Sequence, residues 1–396
     1  MLAAVTSMAR PAGKVSSLQM LCGVVCFLVL ASNVWSMSHW NEARGVYDDI
    51  CYLRQAHLFQ RFGLGGLDTD MSKDDDHYLA SKLKEIGFPT WNDPTTAPCH
   101  TPMPASGRRV LQYPPGTGLV LALFPQGHQV VPLYVAGSVI VFGFALLAIF
   151  AARTASSVAI AGAVGCLAIY LMINPSKASY SMAPTMAACA IAGYLTARWL
   201  MGASSRRLLT AILLGLVLGL SVDFRLPNLF LSSGYVLFLL GAFLSSWKLR
   251  DFMQGLWFGA AFLAGLAPTL LSNAINAGSP LATTYGGQDV MPPDFSFDII
   301  RQYVTDLQFG LLLLAGVWTA RILLLHRVNG IRRVALVVAA NLLVNLAFFM
   351  SHPVFTPYYT IPIAMLSLWT LLFAALMPPS EAVDHGPGEQ AAGARS

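Results

Sequence analysis

Apolar residues in this chain are gathered into long runs, divided by short polar or basic segments and by one long polar interval. The first run extends from Leu18 to Trp35. Others follow at about 131–151, 155–173, 184–201, 208–222, 228–246, 253–272, 308–325, 334–350 and 358–377. A helix crosses a bilayer with about 20 apolar residues, and ~17 is the lower limit. Several runs sit near that limit, and the 208–246 stretch is the least sharply divided. Together they predict roughly ten membrane-spanning helices. Arg10 and Lys14 ahead of the first run resemble the start of a signal peptide. The run is long enough to span, and no small-x-small cleavage site follows before Trp40, so an uncleaved first span is expected.

Composition points the same way. Of 396 residues, 56% are hydrophobic and 11% charged, with mean hydropathy +0.60. A soluble domain carries about a quarter charged residues, so most of this surface does not face water. The formal charge of +5 does not imply nucleic acid, because Lys and Arg fall in short clusters between apolar runs. Those clusters orient the spans, since Lys and Arg of short loops stay in the cytoplasm. With ten spans, one side receives Arg10 and Lys14, Arg153, Arg206 and Arg207, Lys248 and Arg250, then Arg327, Arg332 and Arg333. The other side's short loops carry far less: Lys177, then Arg225, then none between 351 and 357. Both termini are therefore expected in the cytoplasm, and the long interval 38–113 outside it. Residues 378–396, rich in Pro, Gly, Ala and Glu, read as a disordered cytoplasmic tail. Cys22, Cys26, Cys166 and Cys189 lie in apolar runs, where a thiol is usually a small core residue. Cys51 and Cys99 share the long loop, where an oxidising compartment would let them pair; two separate thiols are the alternative.

Four polar features stand at the ends of the spans. Asp48 and Asp49 open a segment that predicts a helix to Phe62, with Tyr52, Leu53, Ala56, Phe59 and Phe62 on one side and Arg54, His57 and Arg61 on the other. Such a helix would lie in the interface with its apolar face toward lipid. Its aspartates are either a catalytic pair or simply charges suited to the positive end of the helix dipole. Gln112-Tyr-Pro-Pro-Gly-Thr-Gly118 predicts a rigid re-entry into the interface. Val222-Asp-Phe-Arg-Leu-Pro-Asn228 puts Asp223 and Arg225 at or near membrane depth, where a charge is costly and a functional role is the default. The two charges either neutralise each other, or Arg225 serves an anionic phosphate through its planar fork. Finally, Asn273-Ala-Ile-Asn-Ala-Gly-Ser-Pro280 with Tyr285, and Ser351-His-Pro353 with Tyr358 and Tyr359, flank later spans. His352 suits proton transfer or metal binding, although a lone loop histidine more often does neither.

Taken together, these features resemble the GT-C superfamily of polyprenyl-phosphate-sugar-dependent glycosyltransferases. The likeness is to bacterial relatives of protein O-mannosyltransferases and of aminoarabinose lipid A transferases. It rests on the early Asp-Asp with Tyr52, on Tyr113-Pro-Pro-Gly116, on Gly-Leu-Ser-Val-Asp-Phe-Arg225, and on Asn276-Ala-Gly-Ser-Pro280 with Tyr285. It covers about residues 40–360, and order and placement carry it rather than any single motif. The resemblance implies an all-α polytopic membrane protein, a GT-C-like bundle of about ten transmembrane helices whose large first extracytoplasmic loop carries interfacial helices. It also implies a general base at Asp48 or Asp49, and a substrate or donor-phosphate site drawn from Tyr52, Tyr113, Arg225, Asn276, Tyr285, His352 and Tyr358. The expected partners are a polyprenyl-phosphate-sugar donor and a lipid or glycan acceptor, with no nucleic acid. The chain stops soon after its last span, so the extra C-terminal part of larger relatives is not expected. Asp68-Thr-Asp70 and Asp74-Asp-Asp76, with His57, His77 and His100 nearby, resemble metal-binding clusters but read equally as a solvated loop; a divalent metal stays open. The absence of a eukaryotic-type retrieval signal favours a bacterial inner membrane. A lipid or sugar transporter or flippase is the competing class. It expects ionisable residues along the bilayer midplane and internal symmetry, and this sequence has neither in clear form.

Overall fold

The structure is a computed structural model that describes residues 13–40, 47–104, 106–173, 179–202, 206–286, 292–326, 328–352 and 355–377, the side chains of residues 13, 14, 47 and 48 aside. The tail expected at 378–396 lies outside them. Each of the ten apolar runs forms a helix. These are α1 (Gly13–Met37), α5 (Val130–Ala151), α6 (Ala155–Leu171), α7 (Met182–Met201), α8 (Arg207–Phe224), α9 (Ser233–Ser246), α10 (Leu249–Ala277), α12 (Phe309–Leu325), α13 (Asn329–Ser351) and α14 (Thr360–Leu376). Seven described helices are long and apolar enough to cross a membrane. An eighth counts if α12 is joined to the short α11 (Phe297–Thr305), which meets it at 82°. The 17-residue α6 is apolar but shorter, and α7 is enclosed by its neighbours on nearly every side. This is the make-up of an all-α, multi-pass membrane protein.

Packing fixes the helix directions. On α8, Gly215 and Gly219 meet the Phe258 and Phe262 carbonyls of α10, where an added Cβ would lie 2.4 and 2.1 Å from oxygen. Gly265 of α10 meets the α8 backbone in return. Small residues at one contact let two backbones approach closely, the usual basis of helix pairing in lipid. The matching order of these contacts makes α8 and α10 parallel. Along α7 and α14, Cys189 lies near Pro362 and Gly193 near Trp369, again parallel. Opposed pairs are α1 with α5, where the Gln19 amide donates to Ile149 and Ala152 carbonyls, and α9 with α13, where Asn345 donates to the Phe230 carbonyl and Gly234 packs on Asn341. The helix ends thus sort onto two faces. One carries the starts of α5, α7, α12 and α14; the other carries the starts of α8, α10 and α13.

The long loop covers the first face. Residues 48–62 do form a helix, α2 (Tyr47–Phe62), but it does not lie on the bundle with one side open to lipid. Every residue from Asp49 to Phe59 is buried. The 3-10 turn Gly63–Leu67, α3 (Tyr78–Glu85), α4 (Gly116–Leu121) and the antiparallel ribbon of β1 (His100–Pro102) and β2 (Arg109–Leu111) enclose it. Gly66 presses on the Leu58 backbone, and Gly118 on the Gln55 side chain. The polar side predicted to face water is buried because its charge is matched. Arg54, fully buried, donates to the Thr69 and Asp70 carbonyls at 3.0 and 2.9 Å and lies 3.5 Å from Asp74. A buried cation supplied with acceptors avoids most of the cost of an unpaired one. The Cys51–Cys99 disulfide staples α2 to the segment leading into β1.

Candidate functional site

Between the loop and the bundle lies a cavity of about 520 Å³. Its walls include Tyr52, Tyr113, Arg225, Tyr285, His352 and Tyr358, six of the residues singled out from sequence, brought together from five separate segments. Each is positioned by identifiable local structure. Tyr52 projects from buried α2. Tyr113 follows β2 and stacks on Tyr52 with ring centroids 5.0 Å apart, while Tyr285 tilts against Tyr113 at 6.0 Å. Tyr285 is held there because the Thr284 hydroxyl donates to the Gln112 carbonyl at 3.0 Å. Opposite, α8 ends at Phe224, Arg225 adopts extended backbone, and Pro227 starts a 3-10 turn, Leu226–Ser232. His352 caps α13 and stacks on Phe348, which stacks in turn on Phe230. Tyr358 and Tyr359 form the turn that leads into α14.

The charge balance is unusual at Arg225. Arg225 is 7% exposed, and its guanidinium lies 4.6 and 4.2 Å from the ring centroids of Tyr358 and Tyr359. No described carboxylate pairs with it. A self-neutralising Asp223–Arg225 pair, one of the two sequence expectations, is absent among the described residues. Asp223 points instead to α10, where its Oδ1 accepts from the Thr269 amide at 3.0 Å and hydroxyl at 2.5 Å. The physical reason is Pro268, inside α10. It interrupts the helical hydrogen-bond ladder there, and the carboxylate takes up the neighbouring amide. Cation–π contacts contribute about 0.5–2 kcal/mol each, less than the several kcal/mol that burying an ion costs. Arg225 is therefore a cation with room for an anion beside it.

Asp49 is 1% exposed and does not line the cavity. Its Oδ1 accepts from the Tyr180 amide at 2.8 Å, between Ser179 and Ser181, which do line it. The Asp48 side chain lies outside the described residues. Asn276 is also off the cavity wall. Its Oδ1 accepts from the Thr69 amide at 3.0 Å, and its Nδ2 donates to the Leu67 carbonyl at 2.7 Å. Thr69 Oγ1 then receives the Leu111 amide, two residues before Tyr113. Asn276 is thus a clasp behind the site, with its amide committed to the loop. Ser179, Ser181, Phe230 and Phe348 also line the cavity, though no motif marks them out in the sequence as strongly as the tyrosines. The Ser179-Tyr180-Ser181 triplet at the start of α7 is the one signal that was available for them.

The acidic run of the loop is engaged with cations. Asp68 and Asp70 hold Arg108, and Asp68 also meets Lys73 at 3.2 Å. Asp75 meets Arg61 at 2.7 Å, and Asp76 meets His57 at 2.6 Å. Burial would raise Asp70, but Arg108 beside it overrides this and holds it below the usual carboxylate range. Burial, and then Arg54, push His100 down to about 3. It is neutral, with Nδ1 donating to the Pro98 carbonyl at 2.7 Å and Nε2 accepting from Arg54 at 3.1 Å. Among the described residues, the one cluster with metal-ligand spacing is Cys51, Cys99 and His100. Its two sulfurs are bonded to each other and its imidazole to Arg54, so it does not fit an ion. No family model matches this sequence, and no curated protein or solved structure is significantly similar to it.

Proposed function

We propose that this protein is a GT-C-type glycosyltransferase that moves one sugar from a polyprenyl-phosphate donor to a lipid or glycan acceptor. In this reading all ten long helices cross a bacterial inner membrane, both termini are cytoplasmic, and the 38–113 loop faces outward. The disulfide within that loop suits an oxidising compartment. The observation that carries the reading is the buried, carboxylate-free guanidinium of Arg225 in the wall of an aromatic cavity. Its planar fork suits a phosphate, and the tyrosines offer faces for a sugar ring. About 520 Å³ is within the range of small-ligand pockets.

Asp48 or Asp49 takes the proton of the acceptor hydroxyl as it attacks the anomeric carbon. The bond from that carbon to the phosphate oxygen breaks with inversion, and Arg225 stabilises the charge left on the lipid phosphate. Asp49, fixed to the Tyr180 amide, holds the Ser179–Ser181 edge of the cavity whether or not it is itself the base. Protein in lipid nanodiscs, given labelled polyprenyl-phosphate sugars and lipid acceptors, tests this. Transfer is expected from wild type and lost in Asp48→Asn, Asp49→Asn or the double variant. Full activity in all three variants overturns the assigned base. Substrate uptake by proteoliposomes without any transfer would favour the transporter class instead.

A further inference from the structure

Another cavity, bordered by arginines, lies at the opposite end of the bundle. Helices α8, α10 and α13 all begin on that face, so three sets of unsatisfied amide N–H groups and three positive dipole ends share it. Acidic residues usually occupy such first turns, yet α8 and α13 have none. They carry cations instead. Arg207 opens α8, Arg250 is the second residue of α10, and Arg332 and Arg333 stand near the start of α13. The acid present, Asp251, is engaged by the Ser246 hydroxyl at 2.5 Å. Arg250 and Arg333 are near enough to Arg207 for their charges to repel it, and Asp251 offsets this repulsion only in part. No described carboxylate forms an ion pair with any of the three.

The arrangement encloses space. A cavity of about 200 Å³ is lined by Arg207, Leu208, Arg250, Met253 and Gln254. Arg207 and Gln254 are half-buried, and their Nε and Nε2 atoms, shielded from solvent, have no hydrogen-bond partner among the described residues. Cations at helix N-termini destabilise, and a buried donor without an acceptor costs about 1–3 kcal/mol. One bound anion relieves both penalties. Solvent screens the exposed Arg250 and Arg333, whereas an anion would offer Arg207 a charged acceptor, the stronger kind of hydrogen bond.

We propose that this cavity binds a phosphate-bearing anion, held by the Arg207 and Arg250 guanidiniums with Gln254 donating to the same group. Guanidinium forks match phosphate oxygens two at a time. Leu208 and Met253 supply an apolar flank, as a headgroup phosphate at the membrane surface would need, although a soluble phosphate has the same chemistry. The site is separate from the aromatic cavity, because Arg207 and Arg225 are roughly 25 Å apart along α8. It does not depend on the glycosyltransferase reading.

The test is thermal melting of the full chain in phosphatidylcholine nanodiscs with or without phosphatidylglycerol, and separately with inorganic phosphate against chloride at equal ionic strength. Wild type is expected to melt higher with phosphatidylglycerol, with phosphate, or with both. Phosphatidylglycerol alone marks a lipid site, and an effect of phosphate as well marks a general one. Arg207→Gln with Arg250→Gln should weaken the response about tenfold in affinity. Arg153→Gln, an exposed cation on the same face outside the cavity, should retain it. Equal responses in wild type and the double variant, an equal loss in Arg153→Gln, or an equal effect of chloride would overturn the proposal. If the double variant does not fold, Gln254→Leu replaces it, with the same loss expected.

Discussion

Asp223 and Arg225 stand two residues apart, and the fold gives their charges opposite surroundings. The carboxylate is spent on the break in α10, and the guanidinium is left to the cavity. On the proposed reaction, Arg225→Gln should lower sugar transfer about 100-fold, the usual cost of removing one preorganised charge-stabilising donor. Arg225→Lys should recover part of that loss, because it restores charge but not the fork. Transfer rates per mole of folded protein check both. Asn276→Ala leaves the Thr69 amide and the Leu67 carbonyl without their partner, and should cost about 1–3 kcal/mol in detergent unfolding. Neutral His100 adds a pH dependence. Above about 6.5, the ordinary imidazole value, its contribution to stability is complete. As pH falls from there toward about 3, the unfolded chain takes up a proton that the folded chain cannot, so stability falls. Melting temperature followed downward from neutral pH should show this slope, and His100→Gln should flatten it. At this scale, sequence distinguished chemistry better than placement. A polar residue beside a span looks the same whether it faces a cavity, as Arg225 does, or clamps a loop, as Asn276 does.

Helices were legible because burial in lipid needs only length and apolarity. All ten apolar runs became helices. The least certain stretch, 208–246, is where Pro227 and the extended Arg225 break the chain between α8 and α9. What periodicity misjudged is α2, since it shows which side of a helix is apolar but not what will cover the other. The acceptors for Arg54 come from residues 69, 70, 74 and 100, which no local pattern links to it. The α8–α10 contact offers a sharp test. Gly219→Ala gains about 1 kcal/mol of helix propensity, but the new Cβ would sit 2.1 Å from the Phe262 carbonyl oxygen. The two backbones must separate, and net destabilisation is expected in a thermal melt. An equal or higher melting temperature would mean that this interface does not hold the bundle together.

The whole molecule is polarised. One end gathers tyrosines, a disulfide and a loop knit by ion pairs; the other gathers arginines at the starts of α8, α10 and α13. The basic clusters anticipated this division, because Arg153, Arg207, Arg250 and Arg333 lie at the same end of successive alternating helices. The chemistry of the first end was legible only as motifs, since the cavity is assembled from segments more than 200 residues apart. The hydrogen bond from Thr69 to Asn276, which spans 207 positions, has a consequence for biogenesis. During synthesis the first loop is made early, yet its clasp arrives only when α10 has emerged. Until then α2 lacks part of its cover, and forming so distant a contact is slow. Chains arrested before α10 should hold this loop open to protease, and chains arrested just beyond it should resist. The loop is thus the first long polar segment to be made and among the last to close.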